Sequence, residues 1–127
     1  MVMAEAIGHR IWAIAEGYIP PSSTGTTRQL VSHETACILN AGDEDARIEV
    51  MVYFEAREPV GPYILEVPAR RTRHFRFDDF NDPEPIPVDT DFSSVFVSSV
   101  PVVLQHTRLD TRQEALALLS TIAFPAG

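Results

Sequence analysis

Ten prolines are spread through this chain of 127 residues, and their spacing restricts what the chain can fold into. Proline lacks a backbone N–H and clashes with the preceding turn, so it breaks a helix wherever it lies in the interior. Most of the intervals between these prolines are too short for a helix of useful length. The chain is therefore predicted to consist mainly of short extended segments.

Several of the intervals alternate apolar and polar residues with a period of two, as strands do. The clearest is ARIEVMVYFEA (46–56), whose apolar side is typical of a sheet with one face in a core. The turn NAGDED (40–45) supplies the Asn, Gly and Asp that a hairpin needs. Further strands are predicted at 10–16, 29–40, 63–69, 71–77, 93–99 and 102–109.

The last segment, EALALLSTIAF (114–124), admits two interpretations. Its alanines and leucines suit a helix, whereas Thr121, Ile122 and Phe124 and the apolar residues on both faces suit a buried strand. We favour the strand. About eight strands with frequent turns predict one all-β domain over 1–127, a small antiparallel β-sandwich or jelly roll with long loops at 17–28 and 78–91.

The bulk composition excludes several classes of protein. The net charge of −8 argues against general attraction to DNA or anionic lipid, and no apolar run approaches the ~20 residues that span a bilayer. The first ten residues show no secretory signal, and the single Cys37 cannot form an internal disulfide. A cytoplasmic setting is therefore expected.

Several stretches, taken together and in order, resemble one known family. They are WAIAEGYIPP (12–21), SHETACILNAGDEDARIE (32–49), EPVGPY (58–63), VPARRTRHFRF (67–77), DPEPIPVDTDFSSV (82–95), VPVVLQHTRLDTRQ (100–113) and ALLSTIAF (117–124). From about residue 8 to residue 124 the chain resembles the soluble sensory rhodopsin transducer family.

The resemblance implies a small all-β sandwich, assembly as a homo-tetramer, and a cytoplasmic signalling role beside a seven-helix photoreceptor, a microbial rhodopsin. Similar proteins also occur in bacteria without such a receptor, and for these the fold suggests a small organic ligand such as a carbohydrate. That second implication is an analogy between folds.

Five residues are candidates for a ligand site: Trp12, Glu16, Glu34, His106 and Arg108. Alternation places Glu34 and its neighbour His33 on opposite faces, so one of them is expected inside with a partner. Arg108 shares the apolar face of His106 and requires a carboxylate, for which Asp110, Glu34, Asp89 and Asp91 are candidates. The alternatives are an internal or inter-subunit ion pair and, for Trp12, a place in the core.

The segment VPARRTRHFRF concentrates four of the ten arginines in a chain that has no lysine. From 67 to 91, however, six acidic residues outweigh the four arginines, and this balance argues against nucleic-acid binding through 70–76. We interpret the segment as a strand for ion pairing or subunit contact. The candidates for that role are Arg70, Arg71, Arg73, Arg76, Asp89 and Asp91.

Sequence signatures of catalysis are missing. The chain has no G-x-S-x-G, H-E-x-x-H, C-x-x-C or phosphate-binding glycine loop, and its four histidines are scattered. Asp89 and Asp91 lack the remaining ligands of a calcium loop. We therefore expect no enzyme activity, no metal and no cofactor.

Overall fold

A computed structural model describes residues 5–24, 27–28, 31–113 and 115–127. The predicted all-β class is confirmed, because eight antiparallel strands make up the described fold. The strands are β1 (His9–Tyr18), β2 (His33–Asn40), β3 (Ala46–Phe54), β4 (Val60–Val67), β5 (Arg71–Arg76), β6 (Asp91–Asp110), β7 (Ala117–Ile122) and β8 (Phe124–Pro125). Predicted strand positions 29, 30 and 114, and positions 25 and 26 of the first long loop, lie outside the described residues.

The strands form two sheets that share β6. Sheet A has the order β4–β3–β6–β1–β8 and uses the first half of β6. Sheet B has the order β5–β2–β6–β7 and uses the second half, from Val103 to Asp110. The 20-residue β6 therefore joins the two sheets through continuous backbone.

The sequence predicted two strands, at 93–99 and 102–109, on either side of Pro101. That prediction was wrong, because the structure has the single strand β6 there. Within the described chain, residues 99–101 have no partner in the strand ladders. The pairing with β3 ends at Ser98, the pairing with β2 begins at Val103, and the pairing with β1 skips from Val97 to Val102. Proline is tolerated where no ladder hydrogen bond needs its missing N–H. The strand can thus pass from one sheet to the other without ending.

One apolar core receives side chains from both sheets. Ile48, Val50 and Val52 of β3, at most 1% exposed, confirm the inward face predicted from alternation. Phe77, just after β5, is 1% exposed, and its ring lies 5.3 Å from that of Phe92. Burying each such side chain contributes roughly 1.5–3 kcal/mol to the free energy of unfolding.

The segment 117–122 is a strand, as favoured, but the expectation that it would be buried was wrong. All six residues of β7 are exposed, including Leu118 at 71% and Leu119 at 54%. β7 pairs with β6 along one side and lies at the edge of sheet B, so the described fold leaves its apolar residues uncovered.

Candidate functional site

A buried carboxylate lies at the centre of the polar residues predicted for a ligand site. Glu34 of β2 points inward beside Ala36 and Ile38, and its side chain is fully buried. The register of β2 against β6 pairs Glu34 with Arg108 and Ala36 with His106. Because residues opposite one another in a ladder share a face, both basic side chains reach Glu34 from the neighbouring strand.

Both oxygens of Glu34 accept hydrogen bonds from β6. His106 Nε2 lies 2.7 Å from Oε2, and Arg108 Nε donates to Oε1. Arg108 Nη1 lies 3.2 Å from Oε1 of Glu16, whose side chain is 78% exposed. We call these four residues the Glu34 network; it links a buried charge to the surface.

One donor of this network is unused. Arg108 Nη2 is buried and has no hydrogen-bond partner among the described residues. A buried guanidinium N–H without an acceptor is costly, so the network holds a hydrogen-bond donor that the described residues do not use. Glu16 also lines an open groove of about 510 Å³ together with Tyr53, Glu55 and Asp91.

Trp12 lies apart from these hydrogen bonds. Its side chain is 3% exposed, and Nε1 lies 2.9 Å from the carbonyl oxygens of both His9 and Val102. Of the five candidates, the structure therefore connects Glu16, Glu34, His106 and Arg108 and places Trp12 in the core. Ligand binding by the five remains a prediction.

The arginines of 70–76 differ in their surroundings. Arg70 Nη1 lies 3.6 Å from Asp43, and Arg76 Nη2 lies 3.7 Å from Asp78. Arg73 packs over the Phe75 ring at 4.9 Å, and Arg71 donates to the carbonyl oxygen of Arg70.

The two aspartates of the same prediction lie elsewhere. Asp89 accepts a hydrogen bond from the Tyr18 hydroxyl, while Asp91 begins β6. A subunit-contact role for these six residues remains a prediction. Within the described ranges, no group of three or more His, Cys, Asp or Glu side chains is arranged to hold a metal ion, and no helix could cross a membrane.

The family of this chain follows from its similarity to known proteins. The family model described as Anabaena sensory rhodopsin transducer matches residues 7–125. This chain belongs to the Anabaena sensory rhodopsin transducer family.

Two solved structures show the likeness in three dimensions. The Anabaena sensory rhodopsin transducer is 63% identical, with a TM-score of 0.75 over 82% of this chain and 100% of its own. The crystal structure of Thermotoga maritima 1070 is 37% identical, with a TM-score of 0.82 over 94% and 96%. Among curated protein sequences, no relative matches.

In this transducer-family member, sheet A carries a feature that sequence reasoning missed. Six apolar side chains lie on its outer face, at positions where a solvated sheet usually places polar residues. The ladders align Met51, Val95, Ala13 and Phe124 in one row, with Val97 and Ile11 beside it. We call these six residues the sheet A stripe.

The stripe is accessible to a partner. Val97 is 44% exposed and Phe124 is 68% exposed, while the other four are half-buried. The sequence VFV (95–97) contained a signal for this apolar face, because both of its outward residues are valines. Strand alternation alone, however, does not show which face of a strand is exposed to solvent.

Proposed function

We propose that this protein is a non-catalytic cytoplasmic signalling protein that acts by protein–protein contact. The sheet A stripe carries this proposal. A contiguous apolar patch on the surface is typical of an interaction site, because covering it removes apolar area from water. Family membership supports the same role.

The partner we propose is a membrane photoreceptor of the microbial rhodopsin class. The solved relative at 63% identity is named as a sensory rhodopsin transducer. An apolar stripe suits docking onto another protein, since its rows of side chains can pack against a complementary surface. The protein's net charge of −8 would orient the docking towards basic cytoplasmic loops.

Binding to a sensory rhodopsin in lipid nanodiscs tests this role, measured by biolayer interferometry in darkness and under illumination. We expect affinity to change on illumination, and Val97→Arg to weaken binding at least about tenfold by placing a charge in the stripe. Val88→Arg is the matched control, because Val88 is 53% exposed but lies outside the stripe. An equal loss of affinity in the two variants, or an affinity that does not change on illumination, would count against the proposal.

We also propose a homo-tetramer, with β7 contributing to a subunit contact. A strand with a free edge and apolar side chains on both faces pairs readily with a second copy. Light scattering coupled to size exclusion should give the mass of four chains, and Leu118→Glu should lower it. A wild-type mass of one chain would reject the tetramer.

The unused Arg108 Nη2 favours a second candidate function, the binding of a small carbohydrate-like ligand at the Glu34 network. A thermal-shift screen of sugars and organic acids tests it. A ligand at 100 times its Kd should stabilise the fold by about 2.7 kcal/mol. The stabilisation should disappear in Arg108→Gln, and a screen without hits would reject this candidate.

A further inference from the structure

A second groove, unconnected with the candidate ligand residues, lies on the outer face of sheet B. Its volume is about 650 Å³. We call it the sheet B groove. Its lining combines basic, hydroxyl and apolar side chains with one carboxylate: Arg28, His33, Thr35, His74, Arg76, Asp79, Leu109 and Leu118.

The strand registers arrange these residues in order. Thr35 of β2 lies opposite Arg76 of β5, so a hydroxyl and a guanidinium share the middle of the face. His33 precedes Thr35 by two residues, and His74 precedes Arg76 by two on the antiparallel strand. Because antiparallel neighbours run in opposite directions, the two imidazoles flank the central pair from opposite ends.

Arg76 is held in place at this centre. Its side chain is 14% exposed, and Nη1 donates to the carbonyl oxygen of Arg28 at 2.8 Å. The nearest carboxylate, Asp78, is 3.7 Å from Nη2, too far for a good hydrogen bond. Nε is buried with no hydrogen-bond partner in the described part of the chain. Arg76 is therefore fixed with unused hydrogen-bonding capacity.

Arg28, by contrast, is exposed and already holds a carboxylate. Its Nη1 and Nη2 lie 3.2 and 2.6 Å from the two oxygens of Asp79, in the bidentate geometry that guanidinium groups use for anions. Both side chains are more than half exposed, and such surface pairs contribute only about 0–1 kcal/mol. An arriving anion could thus replace Asp79 at little cost.

The rest of the lining suits the body of an organic molecule. His33 Nδ1 lies 2.7 Å from the carbonyl oxygen of Val31, which can only accept, so Nδ1 carries the proton and Nε2 remains available to a ligand. Leu109 and Leu118 lie opposite each other on β6 and β7 and form an apolar wall. Inorganic phosphate would leave this wall unused.

We propose that the sheet B groove binds a small organic anion. The carboxylate or phosphate of the ligand is held by Arg28 and Arg76, with its uncharged part beside Thr35 and the leucine wall. This site shares no residue with the Glu34 network or the sheet A stripe, so it does not depend on the proposed signalling role. It does share Leu118 and Arg76 with the residues assigned above to a subunit contact.

Titrations with citrate and with glucose 6-phosphate at 150 mM salt test the site, with calorimetry and amide NMR as the two readouts. Glucose is the uncharged control. We expect at least one anion to bind and to shift the amides of His33, Thr35 and His74. Glucose should leave those amides in place.

Variants separate a specific site from general attraction. Arg28→Gln should weaken anion binding about tenfold by removing a charged hydrogen bond. Asp79→Asn should strengthen it several-fold by removing the internal competitor. Arg57→Gln is the matched control, because Arg57 is also exposed and paired, with Glu84. No binding of either anion, amide shifts outside the groove, or equal losses in Arg28→Gln and Arg57→Gln would overturn the proposal.

Discussion

His106 Nε2 lies 2.7 Å from Oε2 of Glu34, whose side chain is fully buried. Arg108 satisfies the other oxygen of the same carboxylate. A charge removed from water in this way depends on all its partners, because losing one leaves part of its desolvation cost uncompensated.

We therefore predict that Arg108→Met lowers the free energy of unfolding by about 3 kcal/mol. Urea unfolding can be followed by the fluorescence of Trp12, the only tryptophan. Arg57→Met serves as control, because its pair with Glu84 is exposed and should contribute less than about 1 kcal/mol. Similar losses in the two variants would show that Glu34 does not depend on Arg108.

Asn40 connects two turns through one buried side chain. Its Nδ2 lies within 3.0 Å of the carbonyl oxygens of Glu44 and Val67, and its Oδ1 accepts from the N–H of Gly42 at 3.1 Å. Asn40→Ala should therefore destabilise by about 2–4 kcal/mol, since it leaves several buried backbone groups unpaired. Asn81→Ala, at an exposed position, should change stability by less than about 0.5 kcal/mol. Denaturant midpoints that match in the two variants would refute this connecting role.

Gly8 occupies a position that no other residue can adopt without strain. Its φ is +101°, and an added Cβ would lie 2.0 Å from the carbonyl oxygen of Val102. Gly8→Ala should thus lower the thermal midpoint strongly, with a loss of at least about 2 kcal/mol. Gly42→Ala should cost less, because its φ is not positive and its added Cβ would lie no closer than 3.1 Å to Ala6. The reverse order of the two midpoints would contradict this prediction.

Much of the fold followed from alternation, and the exceptions share a cause. Period-two patterns identified the inward face of β3. The strand β6 was predicted as two strands separated at Pro101, because sequence does not show where a strand passes from one sheet to another. Likewise, the apolar residues of β7 suggested burial, whereas the structure places the strand at a sheet edge. Which strand lies at an edge depends on pairing between distant segments, and local pattern does not encode it.

The candidate site could likewise be predicted only in part from the sequence. Residue type predicted that Arg108 needs a carboxylate, and Glu34 was among the four candidates named. Glu16 was not considered as its partner, because its place beside Arg108 depends on how β1 and β6 are arranged in the folded chain. The sheet A stripe was missed for a related reason, since its rows are assembled from separate strands.

Asp78 and Asp79 are adjacent in sequence and have opposite pKa shifts. Burial raises the pKa of Asp78, and Arg76 opposes this only in part. The hydrogen bonds from Arg28 lower the pKa of Asp79. A carboxyl whose pKa is raised on folding costs stability once it ionises, whereas one whose pKa is lowered adds stability in its ionised form.

The stabilities of Asp78→Asn and Asp79→Asn, relative to wild type, should therefore move in opposite directions with pH. As pH rises through the folded pKa of Asp78, above the usual carboxyl value, Asp78→Asn should become more stable than wild type. Asp79→Asn should be the less stable protein at neutral pH, and its deficit should vanish as pH falls through the lowered pKa of Asp79. Urea unfolding of the three proteins from pH 3 to 7 measures both trends. Parallel trends for the two variants would show that the aspartates do not differ in environment as the structure indicates.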